Sequence, residues 1–135
     1  MGRNLFTSIG CTSCHSGTVF SGGNFDTGVE TLEDTLLLAG GTPTADTGNG
    51  GGAFQAPPLF GLRKDQFFHT GLLGNNSVAA PGQTLLFTNL RDAVSFYVTA
   101  AFAGSPEGPS FSAVQAMTAA NIEDIAHFLE AISSP

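Results

Sequence analysis

The chain has 135 residues and a formal net charge of −7, set by 11 acidic and only 4 basic side chains. So few Lys and Arg exclude nucleic acid as a partner, because phosphate binding needs them clustered. No run is long and apolar enough to span a bilayer, and the length fits a single domain, residues 1–135, that can bury a core without a disulfide framework.

Composition adds a second constraint. With 18 Gly and 7 Pro, much of the chain is expected to be loop and turn. Charged residues make up 11% and there are 12 Phe, so some apolar surface is expected to remain exposed as a partner contact. The acidic balance favours a partner with a basic docking surface, because opposite charge steers encounter.

In chain order, residues 2–10 (GRNLFTSIG) predict a short helix whose apolar face is Leu5, Phe6 and Ile9. Gly2 lies four residues before Phe6 on the same side, where a small residue lets another helix cross closely. Residues 16–31 are rich in Gly, Ser and Thr and read as loop. A helix over 31–38 is introduced by Thr31 and Asp34 in a capping pattern and stopped at Gly40 and Gly41. Residues 40–53 are low-complexity loop, 53–71 an extended stretch ending in a turn, and 74–84 loop again. Residues 88–97 predict a helix capped by Thr88 or Asn89, with Leu90, Ala93, Val94 and Tyr97 as its apolar stripe. Residues 103–112 read as a Gly/Pro/Ser loop. The final helix, capped by Thr118, carries Ile122, Ile125, Ala126, Leu129 and Ile132 along one face.

Between the first helix and the first loop stands Cys11-Thr12-Ser13-Cys14-His15. This is the C-x-x-C-H pattern of c-type haem attachment. Two sulfurs with two residues between them can add to the two vinyl groups of one porphyrin, and the adjacent His then presents an imidazole nitrogen to the iron. Three other readings compete. A disulfide does not require His15. A structural zinc site needs four ligands, whereas the chain has two Cys and its other His are remote, at 69 and 127. A thioredoxin-like pair follows a strand, and here a helix precedes it. One motif implies one covalent haem c, with both Cys consumed as thioethers. Such haem is attached outside the cytoplasm, so a periplasmic or extracellular location is expected. Residues 1–9 do not read as a signal peptide, so the chain is expected to be a mature form or a piece of a longer protein.

The segment GRNLFTSIGCTSCHSG resembles the start of a class I cytochrome c fold, in which a Gly and an aromatic on the first helix cross the last; Gly2 and Phe6 match them. The rest of the chain resembles the C-terminal haem domain of the bacterial dihaem cytochrome c peroxidase and MauG group. The matching pieces, in order, are Asn24 to Val29, Phe54 to Leu59, Phe67 to Gly71, Leu90 to Tyr97 and the final IEDIAHFLEAI. The resemblance implies an all-α, class I cytochrome c-like fold, with short helices around one haem and long Gly-rich loops. Two departures stand out. Family members carry two haems in two domains, and this chain has one motif. They also often place an Arg shortly after Pro-x-Leu, where this chain has Phe60, which leaves Arg63 or Lys64 to contact a haem propionate.

The sixth iron ligand has four candidates: Tyr97, Met117, His69 and His127. In the resembling group this ligand lies at the end of the helix matching Leu90 to Tyr97, as Met in the peroxidases and Tyr in MauG. Tyr97 also reads as a core aromatic with a polar tip. Met117 would give a high-potential His/Met site, but it abuts the cap of the last helix and also reads as a core filler. His69 sits in a turn that could reach the haem edge, and His127 falls on the polar face of its helix. Three functions follow, in order of preference. The first is electron transfer, as a monohaem carrier or a subunit docked in a larger complex. The second is the haem domain of a peroxidase- or MauG-like enzyme, and the third a structural cytochrome packed into an assembly.

Overall fold

The structure, a computed structural model, describes residues 1–28, 54–60, 62 and 89–133. The helix expected over 31–38, the loop expected over 40–53, the loop expected over 74–84, and Arg63, Lys64 and His69 lie outside the described residues.

The chain opens with α1, Gly2–Ser8. Seven residues are too few for a helix to persist alone in water. What holds α1 is its apolar side: Phe6 is buried, and Leu5 and Ile9 pack on the core. It crosses the long last helix, α5 (Ala119–Ser133), at Gly2. A Cβ at Gly2 would collide with the Asp124 carbonyl oxygen and come within 2.8 Å of Phe128 Cβ. The expected close crossing is therefore present, and glycine permits it.

Helix α5 begins as the sequence predicts. Asn121 N–H donates to Thr118 Oγ1 (3.2 Å), and Thr118 N–H donates to Asn121 Oδ1 (2.9 Å). This reciprocal box leaves two terminal donors satisfied and is worth about 1 kcal/mol. Ile122, Ile125, Ala126 and Leu129 are buried on one face. His127 is exposed on the other, 3.3 Å from Glu123, which also pairs with Arg91.

The helix expected over 88–97 is real but divided. Asn89 caps it, with Oδ1 accepting from Asp92 N–H at 2.9 Å, and α2 runs Leu90–Ser95. The backbone then tightens into a 3-10 turn, Phe96–Val98. Ser95 and Thr99 hydroxyls each donate to a carbonyl three residues back, on Asp92 and Phe96, both at 2.6 Å. Such bonds compete with the regular helix ladder. The change of winding turns Phe96 fully inward, where it is 0% exposed. Thr99 then accepts from Phe102 N–H (3.4 Å) and caps α3, Ala100–Ala103.

Residues 103–112, expected as loop, also hold a 3-10 turn, Gly108–Ser110, followed by α4, Ser112–Gln115. The only sheet among the described residues is a two-residue antiparallel pair that the sequence does not announce. In it β1 (Asn24–Phe25) lies against β2 (Phe54–Gln55), with Asn24 opposite Gln55. Ser21 Oγ donating to Ala56 O (2.8 Å) and Ala56 N–H donating to Gly23 O (3.0 Å) extend this tie. The described residues are thus helix-dominated, in accord with the all-α class. One core gathers Phe6, Leu90, Val94, Phe96, Ile125 and Leu129 from α1, α2, the 3-10 turn after it and α5.

Candidate functional site

The C-x-x-C-H residues are set by how α1 ends. Gly10 adopts φ 102°, which a side chain would resist, and redirects the chain straight into a 3-10 turn, Cys11–Ser13. Ser13 N–H donates to Gly10 O (3.0 Å), and His15 N–H donates to Cys11 O (2.9 Å). Residues three apart eclipse in this winding, so Cys11 and Cys14 fall on one side of the turn. Both thiols are free and partly buried.

His15 is oriented by the backbone. Its Nδ1–H donates to the Phe20 carbonyl at 3.1 Å, which fixes the neutral tautomer and leaves the Nε2 lone pair available. Burial holds the imidazole below its ordinary 6.5, although the carbonyls of Phe20 and Pro57 oppose this. Phe20 itself sits at φ 52°, a left-handed conformation that costs a bulky residue about 1–2 kcal/mol. Its ring offsets that cost by packing edge-on to Phe6 (5.8 Å) and Phe128 (6.0 Å). Phe6 in turn stands 6.3 Å from the His15 ring.

Phe6, Gly10, Cys11, Cys14 and His15 line a cavity of about 310 Å³. Volumes of roughly 300–1,000 Å³ are usual for small-molecule and cofactor pockets. Helices α2 and α5 contribute Leu90, Val94, Ile125 and Leu129 to the same lining. Tyr97 and Met117 line the same cavity. Tyr97 is held edge-on by Phe102 (5.1 Å) and Phe96 (5.4 Å). Burial, and secondarily the sulfurs of Cys11 and Cys14, push its phenol well above the ordinary 10.0. Met117 reaches the cavity despite its place beside the α5 cap, because α4 and the turn after it (Met117 N–H to Val114 O, 3.1 Å) lie against the site.

The thiols are not activated nucleophiles. Burial pushes Cys11 up to about 12 and Cys14 up to about 11, with Glu107 adding to the rise at Cys14. Reactive redox cysteines are shifted the other way. Among the described residues no group of three or more His, Cys, Asp and Glu is close enough to hold a bare metal ion.

Five expected site residues, Cys11, Cys14, His15, Tyr97 and Met117, therefore line one cavity, although Cys11 and Met117 lie more than a hundred positions apart in sequence. His127 is outside it, exposed on α5. Arg63 and His69 lie outside the described residues. Phe20, Thr27, Gln55 and Glu107 also belong to the site, and the sequence does not single them out. Thr27 and Glu107 come in on irregular backbone, Gln55 on the two-residue strand β2, and Phe20 through its carbonyl, none of which leaves a periodic signal. Compared with protein-family models, with curated proteins and with solved structures, the chain matches none. Among the described residues no helix is long and apolar enough to cross a membrane.

Proposed function

We propose that the chain is a class I-like cytochrome c domain that carries one covalent haem c and transfers electrons. The observation that supports this best is the convergence of Cys11, Cys14, His15 and two further iron-ligand side chains, Tyr97 and Met117, on one apolar cavity. The donor set suits the group: two thiols eclipsed on a 3-10 turn, a neutral imidazole with Nε2 free, and aliphatic walls.

Cys11 and Cys14 would tether the haem through their sulfurs, and their raised thiols are no obstacle because thioether formation removes the acidic proton. His15 would hold the iron from one side, with the Phe20 carbonyl keeping its ring in place. Leu90, Val94 and Ile125 would exclude water from the ring face. When bound, the haem supplies a centre that gains and loses one electron. The partner in this reading is a redox protein with a basic docking surface, met in the periplasm or outside the cell, or a larger complex in which the chain is a subunit.

A second reading, the haem domain of a peroxidase- or MauG-like enzyme, draws support from Tyr97 on the cavity wall. Spectroelectrochemistry of the haem-loaded chain, paired with a hydrogen peroxide assay, separates the two. Electron transfer predicts a single reversible one-electron wave and negligible peroxide turnover. Rapid turnover by the isolated chain would overturn it in favour of the enzyme.

A further inference from the structure

Among the described residues that line the cavity, Glu107 is the only one with a carboxylate, and no Lys or Arg stands among them to offset it. Its position is built rather than incidental. Glu107 N–H donates to Asp26 O (3.3 Å), and Ser110 N–H donates to Glu107 O (3.1 Å). Just before it, the buried Ser105 hydroxyl donates to Phe102 O (2.7 Å) and accepts from Gly108 N–H (3.1 Å). Just after it, the Gln115 amide donates to Gly108 O. The turn is thus pinned on both sides, and the half-buried Glu107 lines the same cavity as Cys11, Cys14 and His15.

We propose that Glu107 is a negative charge on the wall of the cavity that would hold the haem and that it would lower the haem's reduction potential; this rests on the haem reading above. The oxidised haem carries one more positive charge than the reduced form, so a nearby carboxylate favours the oxidised state. In an apolar, half-buried wall that interaction is stronger and less screened by salt than at the surface. Glu107 is a positioning charge, not an iron ligand.

The test is the midpoint potential of the haem-loaded full chain in Glu107→Gln, Glu107→Asp and Glu107→Lys, with Glu130→Gln on the exposed face of α5 as control. The expected order is Lys highest, then Gln, with Asp close to the unsubstituted protein and the control unshifted, and the order persists at high salt. A Gln variant at the unsubstituted potential, or one shifted no more than the Glu130→Gln control, would overturn the proposal. Should Glu107→Gln not accumulate, the Asp and Lys pair still decides it, because a potential that ignores the sign of the charge contradicts the assignment. Absence of covalent haem from the unsubstituted chain would instead sink the haem reading itself, and this proposal with it.

Discussion

Tyr97 and Met117 stand on the wall of the same cavity as His15, so in the proposed haem site a phenol and a thioether would both be candidates to hold the iron. In the haem-free chain burial keeps the Tyr97 phenol protonated. A cation in the cavity reverses that preference, because it stabilises the phenolate directly. Tyr97→Phe is therefore expected to alter the ferric absorption and electron paramagnetic resonance spectra, with no methionine–iron charge-transfer band in either protein. A methionine band that survives Tyr97→Phe and disappears in Met117→Leu would assign the position to Met117. The residues legible in the sequence were those whose chemistry is local. Cys11, Cys14 and His15 announce themselves by spacing alone. Glu107 and Phe20 do not: one reaches the site from a distant turn, and the other acts through its carbonyl, which no side-chain pattern encodes.

At the scale of elements, the contact between α1 and α5 organises the site, because the turn bearing Cys11 and Cys14 leaves directly from the end of α1. Gly2 is its closest point, with no room for a Cβ against Asp124 and Phe128. Gly2→Val is expected to destabilise the fold by about 1–3 kcal/mol, the usual cost of overpacking. Thermal or denaturant unfolding checks this, and an unchanged midpoint would mean that α1 does not cross α5 at Gly2. Both helices were legible because each keeps one apolar face in a 3.6-residue period. The division of α2 was not, since it depends on two hydroxyls bonding back to the chain. The β1–β2 pair was not legible either, because two residues per strand leave no alternation to read.

For the whole molecule, the buried site makes stability depend on pH in both directions. In the haem-free chain His15 is held below 6.5, so the unfolded chain takes up that proton first as pH falls. Stability present above 6.5 is then lost in acid. Cys11 and Cys14 are raised from the ordinary 9.0 to about 12 and about 11, and Tyr97 is raised from 10.0. Here the unfolded chain releases protons first as pH rises, so stability present below 9.0 is lost in alkali. The haem-free chain should melt at its highest temperature between pH 6.5 and 9.0, and thioether formation should extend the alkaline limit by removing both thiols. A melting temperature that climbs steadily above pH 9.0 would contradict this burial of the thiols. The helix dominance of the described residues was legible at this scale from the separate helical patterns. The cavity was not, since its walls are assembled from α1, α2, α4, α5 and the turns between them.

The proposed function rests on one covalent haem, and the intact mass of the full chain, expressed in an oxidising compartment together with a haem-attachment system, tests it most directly. The expected result is a protein heavier by one haem that keeps its colour after denaturation, with loss of that mass when Cys11 and Cys14 are both replaced by Ser. A chain of unmodified mass with two titratable thiols, made under conditions that mature a known c-type cytochrome, would contradict the haem assignment.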